Sequence, residues 1–224
     1  MRIVLRIGGS IVASPANPEL IKKYVDLLRN LKTQGHVVAT VVGGGTLARE
    51  LIQVGKKLGL TEEAQDDLAI SVSRLFAQLF LKQLRELGCG IVPLTIEDAA
   101  RCVHEGKIMV MGGLKSGMTT DNVAALVAEN IEADLYVKAT DQEGVYSKDP
   151  KKHSDAIKLD HMRFSELSQA LAEDKHKAGM HQILDPKAVK LLMKAGAKVI
   201  VVNGNKPENV LLAINGENIG TTIE

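Results

Sequence analysis

The chain has 224 residues, of which 45% are hydrophobic and 25% charged, with a formal net charge of +1. That is enough chain to bury a sizeable core within one α/β domain. There is no basic excess or stripe to attract nucleic acid or a membrane surface, no apolar run near the ~18 residues of a membrane span, and, with 3% aromatics and no tryptophan, no base-stacking platform.

Read along the chain, the apolar period alternates between strand and helix. A strand at 2–7 runs into Ile7-Gly8-Gly9-Ser10, with no signal peptide before it, so a cytoplasmic protein is expected. Asn17 and Pro18 open a helix over 18–33 with Leu20, Tyr24, Leu27, Leu28 and Leu31 on one face, and Gly35 ends it. Val37–Val42 reads as a buried strand entering Gly43-Gly44-Gly45, and a helix continues to about 57. A second helix follows the Thr61 cap, with Leu68, Val72, Leu75, Phe76, Leu79, Leu84 and Leu87 expected on one stripe up to Gly88. Arg74 on that helix reads as structural. Next come a strand near 91–94, a short helix capped by Thr95, a strand over 107–111, a glycine loop at 112–117 and a helix opening at Thr119-Thr120-Asp121. After a strand at 134–139, the polar stretch 141–184 reads as a more mobile lobe. It is expected to hold a hairpin at Glu143-Gly144, an extended segment and a helix near 165–173. Asp185-Pro186 opens a helix to Ala195, followed by a strand at 198–202, a last helix and a strand near 220–223.

This alternation predicts a mainly parallel sheet covered by helices on both faces, with ligands at the carboxyl ends of the strands. All three glycine loops fall at such ends, where unpaired helix N–H groups and a backbone free of Cβ atoms suit phosphate. No G-x-x-x-x-G-K-[ST] is present, which excludes a Walker-type site. Gly43 through Ala48 satisfies the loose dinucleotide fingerprint, but the acid that should follow, Asp66, heads a helix instead of ending a strand. Arg49 lies one helical turn beyond Gly45, within reach of an anion bound there. The histidines, including His176 and His181 at five-residue spacing, offer no metal-ligand pattern. Cys89 and Cys102 fit no disulfide framework and no C-x-x-C motif, and ordinary thiols are expected. Charges of both signs interleave over 148–181, which reads as a solvated face.

Ile7 through Ser10, Val42 through Gly45 with Arg49, Gly112-Gly113 through Asp121, and Thr140 through Tyr146 with Asp149-Pro150 resemble the amino-acid kinase superfamily. Within it, the chain is most similar to the archaeal-type uridylate (UMP) kinases, end to end through Gly220-Thr-Thr-Ile223. The resemblance implies a three-layer αβα sandwich in one domain, 1–224, with an acceptor lobe over about 1–135 and an ATP lobe over 136–224. It implies ATP with Mg²⁺ as donor, UMP as acceptor, and a homo-oligomer, a hexamer built as a trimer of dimers. The long helix at 66–87 is a plausible contact element.

Carried over by residue, the resemblance places Gly8, Gly9, Ser10, Gly45 and Arg49 on the ATP phosphates and Thr140, Tyr146 and Asp149 around adenine and ribose. Gly44 faces the acceptor phosphate, Asp66 the acceptor nucleoside, and Gly113, Leu114, Lys115, Ser116, Gly117, Met118, Thr119 and Thr120 form the loop around the acceptor. Since an acceptor phosphate is already anionic, no general base is needed, and cations must draw the two phosphates together. Arg6, Lys138 and Arg49 are the candidates, with Asp121 as their organiser and no protein metal ligand expected. Arg6 stands where many members carry lysine, Glu143 where the usual residue is aspartate, and Lys187 near a lysine that is catalytic in some members. The other readings are an isopentenyl phosphate or acylamino-acid kinase, a nucleotide-binding regulator without transferase activity, and a nicotinamide dehydrogenase.

Overall fold

Short apolar runs ending in glycine or threonine lay down the sheet. The computed structural model describes residues 1–173 and 183–224. Its strands are β1 (Arg2–Ile7), β2 (Val37–Val42), β3 (Met109–Met111), β4 (Leu135–Thr140), β5 (Val145–Tyr146), β6 (Lys158–Leu159), β7 (His161–Met162), β8 (Lys198–Asn203) and β9 (Thr221–Ile223). Its helices are α1 (Gly9–Val12), α2 (Pro18–Thr33), α3 (Gly45–Lys57), α4 (Glu62–Leu84), α5 (Ile96–His104), α6 (Thr120–Asn130), α7 (Phe164–Glu173), α8 (Pro186–Ala195) and α9 (Pro207–Ile214).

The main sheet runs β3-β2-β1-β4-β8-β9-β7, parallel except where β9 meets β8. Strands buried on both faces explain the unbroken valine and isoleucine runs. Helices α2, α4 and α9 cover one face, with α3 packed on α4, and α5, α6 and α8 cover the other. This is the expected αβα sandwich. Asn17, Thr61, Thr95, Thr119 and Asp185 cap their helices as their residue types predict, each accepting from a backbone N–H of the first turn.

Four expectations are corrected. No strand forms over 91–94, because Ile91 and Leu94 are turned to the surface and the segment finds no neighbour to pair with. Glu143-Gly144 is not a hairpin turn: β5 pairs antiparallel with β6 across a longer connection. On α4 the buried stripe is Ile70, Val72, Phe76, Phe80, Leu81 and Leu84, while Leu75, Leu79 and, beyond the helix, Leu87 are exposed. Cys89 and Cys102 are not free thiols but a disulfide. Sequence spacing cannot show that the segment after α4 and the helix α5 bring their Cα atoms to 5.8 Å, within bonding range. The expectations for His176 and His181 lie outside the described residues.

The disulfide closes a short loop between residues of separation 13, for which chain entropy gives about 3 kcal/mol. Cys102→Ser, or the reduced protein, is therefore expected to lose about 3 kcal/mol in urea unfolding compared with the oxidised chain.

Candidate active site

Two cavities meet at the carboxyl ends of β1, β2 and β4. The larger, of ≈ 490 Å³, is walled by Arg6, Gly9, Ser10, Gly43, Gly44, Gly45, Arg49, Thr120, Asp121, Lys138, Thr140 and the 141–151 side. The smaller, of ≈ 160 Å³, lies between α4 and the loop after β3, with Ala48, Asp66, Ile70, Ser73, Gly113 and Met118 in its wall. Gly44 and Thr120 belong to both. Molecules occupying the two cavities would therefore meet over these two residues.

The first two glycine turns are built against each other. A Cβ on Gly9 would overlap the backbone nitrogen of Gly45, and one on Gly43 would come within 2.8 Å of Gly9 N. Gly45 also has φ +62, the left-handed region, with the carbonyls of Ala13 and Gly9 closing on it. Two chain segments can abut this closely only where both lack side chains. Among the described residues no partner is found for the N–H groups of Gly9, Ser10, Gly44 and Gly45, so the junction presents backbone donors at the start of α3. Gly8 is different, because its N–H is spent on Ala139 O at 2.8 Å.

Beneath the donors sits a buried ion group. Parallel register sets Arg6 of β1 beside Lys138 of β4, so both side chains leave the same face of the sheet. Asp121, in the first turn of α6, lies above them. Lys138 Nζ is 2.6 Å from Asp121 Oδ2, and Arg6 Nη2 donates to Thr120 Oγ1 at 2.9 Å. Arg6 Nε is 2.7 Å from Asp121 Oδ1 but off the hydrogen-bonding line, so that contact is one of charge. One carboxylate between two cations leaves a net positive charge at the cavity wall.

Burial works against Asp121's charge, yet Arg6 first and Lys138 next more than offset it and hold the carboxyl below the usual range. Burial also pushes the Lys138 ammonium down to about 8, despite the opposing pull of Asp121 and with a smaller push from Arg6. Both carboxylate oxygens of Asp121 already face cations, and among the described residues no group of three or more acids, histidines or cysteines could hold a metal.

On the side of the smaller cavity, Asp66 Oδ2 accepts from Gly117 N at 2.8 Å and from Ser116 Oγ at 3.1 Å. Gly113 adds no free donor to a third glycine turn. A Cβ on Gly112 would stand 2.6 Å from Arg74 N, and Gly113 N donates to Ser73 Oγ at 2.7 Å. These glycines let the loop lie against α4. Thr119 Oγ1 donates to Asp185 Oδ2 at 3.0 Å, tying the loop's end to the start of α8.

Of the other residues marked by sequence, Arg49 reaches the larger cavity with its guanidinium on Thr46 Oγ1 at 3.2 Å, and Thr140 and Asp149 line the same cavity. Tyr146 on β5 is in neither wall, Leu114 through Gly117 border the smaller cavity without lining it, and Lys187 is exposed outside both. Sequence reading missed Asp141, Gln142, Lys151 and Ile183 in the larger cavity and Ser73 and Ile70 in the smaller. The first two follow Thr140 at the end of β4, so the strand-end rule itself could have found them.

The profile of the amino acid kinase family matches residues 1–203, and the chain belongs to that family. Along its whole length it is 42% identical to a uridylate kinase of Methanocaldococcus jannaschii, with all of both chains covered. It is 39% identical to one of Methanothermobacter thermautotrophicus, covering 100% of this chain and 99% of the other. The crystal structure of uridylate kinase from Archaeoglobus fulgidus superimposes with a TM-score of 0.89 at 34% identity, covering all of both chains. The chain is a phosphotransferase of this family.

Proposed function

We propose that the chain transfers the γ-phosphoryl group of ATP to UMP, giving UDP and ADP for pyrimidine nucleotide synthesis. The observation that carries this reading is the shared wall: a larger and a smaller cavity join at Gly44 and Thr120, directly over the Arg6–Asp121–Lys138 group. ATP takes the larger cavity, with its phosphates on the Gly9, Ser10 and Gly45 amides and Arg49. UMP takes the smaller, its phosphate against Gly44 and its ribose near Asp66.

The acceptor oxygen is already anionic, so the chemistry reduces to holding two like-charged groups in line and neutralising the charge that moves between them. Lys138 and Arg6 supply fixed positive charge where bulk water is excluded, and Asp121 keeps both aimed. Mg²⁺ bound with ATP would neutralise part of the phosphate charge, alongside Arg6 and Lys138. An ADP-release assay over UMP, CMP, isopentenyl phosphate and acylamino acids tests the reading. UMP is expected to be the best acceptor. Turnover only with one of the others reassigns the acceptor, and binding of both nucleotides without ADP release makes the chain a regulator.

The Lys138 ammonium must be present for transfer, so kcat/KM for UMP is expected to fall about tenfold per pH unit above about 8. Bound phosphates favour the charged form, so the same limb in kcat should lie at higher pH. Stability should move the opposite way. With the folded value at about 8 and the unfolded one near the ordinary lysine value, the unfolded chain holds the extra proton between them, and this group's contribution to stability rises with pH over that window. A pH–rate profile alongside urea unfolding checks both signs, and a flat profile to pH 10 would remove Lys138 from the mechanism.

The exposed Leu75 and Leu79 on α4 suit a homo-oligomeric contact, and a hexamer assembled as a trimer of dimers is the arrangement we propose. No described helix is long and apolar enough to cross a membrane. We place the chain in the cytoplasm.

A further inference from the structure

We propose that Arg74 is a positioning residue for the acceptor, the fixed anchor of the loop whose tip Asp66 holds and releases. The inference rests on the smaller cavity being the acceptor's. Three backbone groups of this loop, on Gly113 and Leu114, are tied to two consecutive residues of α4. Gly113 N donates to Ser73 Oγ at 2.7 Å, Arg74 Nε donates to Gly113 O at 3.0 Å, and Arg74 Nη2 donates to Leu114 O at 2.8 Å. Ser73 Oγ completes its own bonding by donating to Ile70 O at 2.7 Å. Among the described residues the Arg74 guanidinium meets no carboxylate, and both of the hydrogen bonds it donates go to the loop. The half-buried, charge-assisted pair also fixes the planes of both peptides, because two donors in a rigid fork engage successive carbonyls.

The tip is held differently. Ser116 Oγ and Gly117 N both rest on Asp66 Oδ2, a carboxylate in the cavity wall that sugar hydroxyls can equally use. The cavity, at ≈ 160 Å³, is well below the ~300 Å³ of ordinary ligand pockets, so it must widen to admit a nucleotide. Widening at the Ser116–Gly117 tip costs two bonds that the incoming ribose replaces. Widening at the stem would strand buried polar groups on Ser73 and Arg74 with no substitute. The geometry thus assigns opening to the tip and leaves the stem in place, with Arg74 setting where the loop stands when it closes.

Steady-state kinetics with UMP and ATP varied separately tests this, on Arg74→Met, Arg74→Lys and Ser116→Ala. Arg74→Met is expected to raise KM for UMP by about 10- to 100-fold while KM for ATP changes less than about threefold, the signature of lost acceptor binding. Arg74→Lys should rescue little of it, since one ammonium cannot span two carbonyls. Should Arg74→Met fold poorly, Arg74→Ala with added guanidinium ion gives the same reading: recovery of UMP affinity supports the anchor. Ser116→Ala, which removes a bond holding the tip shut, should lower KM for UMP by about two- to fivefold. Equal rises in both KM values, a fall in melting temperature with KM unchanged, full rescue by lysine, or no gain in Ser116→Ala would each overturn the inference. If the unmodified chain fails to phosphorylate UMP at all, it is the assignment of the acceptor that has failed.

Discussion

Replacing Asp121 by asparagine is expected to lower kcat for UMP phosphorylation by about 10²- to 10³-fold, and to destabilise the fold by about 3–5 kcal/mol at neutral pH. The substitution is nearly isosteric, so packing is kept and only the charge goes. Arg6 and Lys138 are then register neighbours on one face of the sheet with no anion between them. Leaving buried charge uncompensated is the costly way to break such a group. Lys138, already held down to about 8 by burial, relieves the repulsion by releasing its proton at still lower pH. The transfer step then loses one of its cations as well as the carboxylate that aims both. Part of the destabilisation should consequently vanish by pH 9, where Lys138 is largely neutral. Transfer rates and urea unfolding at pH 7 and 9 check this. Unchanged turnover would show that the ion group only supports the fold, and intact nucleotide binding with transfer lost would place it in the chemistry.

The sheet was legible because its strands are buried on both faces, so their residues form unbroken apolar runs that end in conspicuous glycines. Helix starts were legible because Asn17, Thr61, Thr95, Thr119 and Asp185 are local signals, each complete within four residues. What failed depends on distant partners. Ile91 through Leu94 has strand-like composition but no strand beside it, and Cys89 finds Cys102 only because α5 folds back against the segment that follows α4. At the site, Arg6, Asp121 and Lys138 were identifiable one at a time, each beside a glycine or threonine turn. Their grouping came from register, which pairs Arg6 with Lys138, and from the cap at Thr119, which sets Asp121 over both. Composition alone gave the opposite impression for Gly112-Gly113. The pair looks like a third phosphate turn, yet its lack of side chains serves close packing against Ser73 and Arg74.

Gly45→Ala should be among the most damaging single methyls that can be added at the glycine junction, and a comparison with Gly59→Ala separates the reasons. Both glycines have positive φ, +62 and +73, so both variants carry the left-handed cost of about 1–2 kcal/mol. Around Gly59 a Cβ would find nothing within 4 Å, so that cost should be the whole effect, with turnover unaffected. At Gly45 the methyl would overlap the carbonyl oxygens of Ala13 and Gly9, which are backbone and cannot swing aside. The turn carrying Gly9 and Ser10 must then move away from the start of α3, parting the unpaired amides that converge on the junction. Misplacing such donors by about 1 Å costs about 10²-fold in rate, and the backbone overlap should bring the stability loss to about 3 kcal/mol or more. KM for ATP, kcat and the urea midpoint of the two variants measure this directly. A Gly45→Ala protein no less stable than Gly59→Ala, and still active, would mean that the two glycine turns do not need their close contact, and the shared phosphate junction would lose its structural basis.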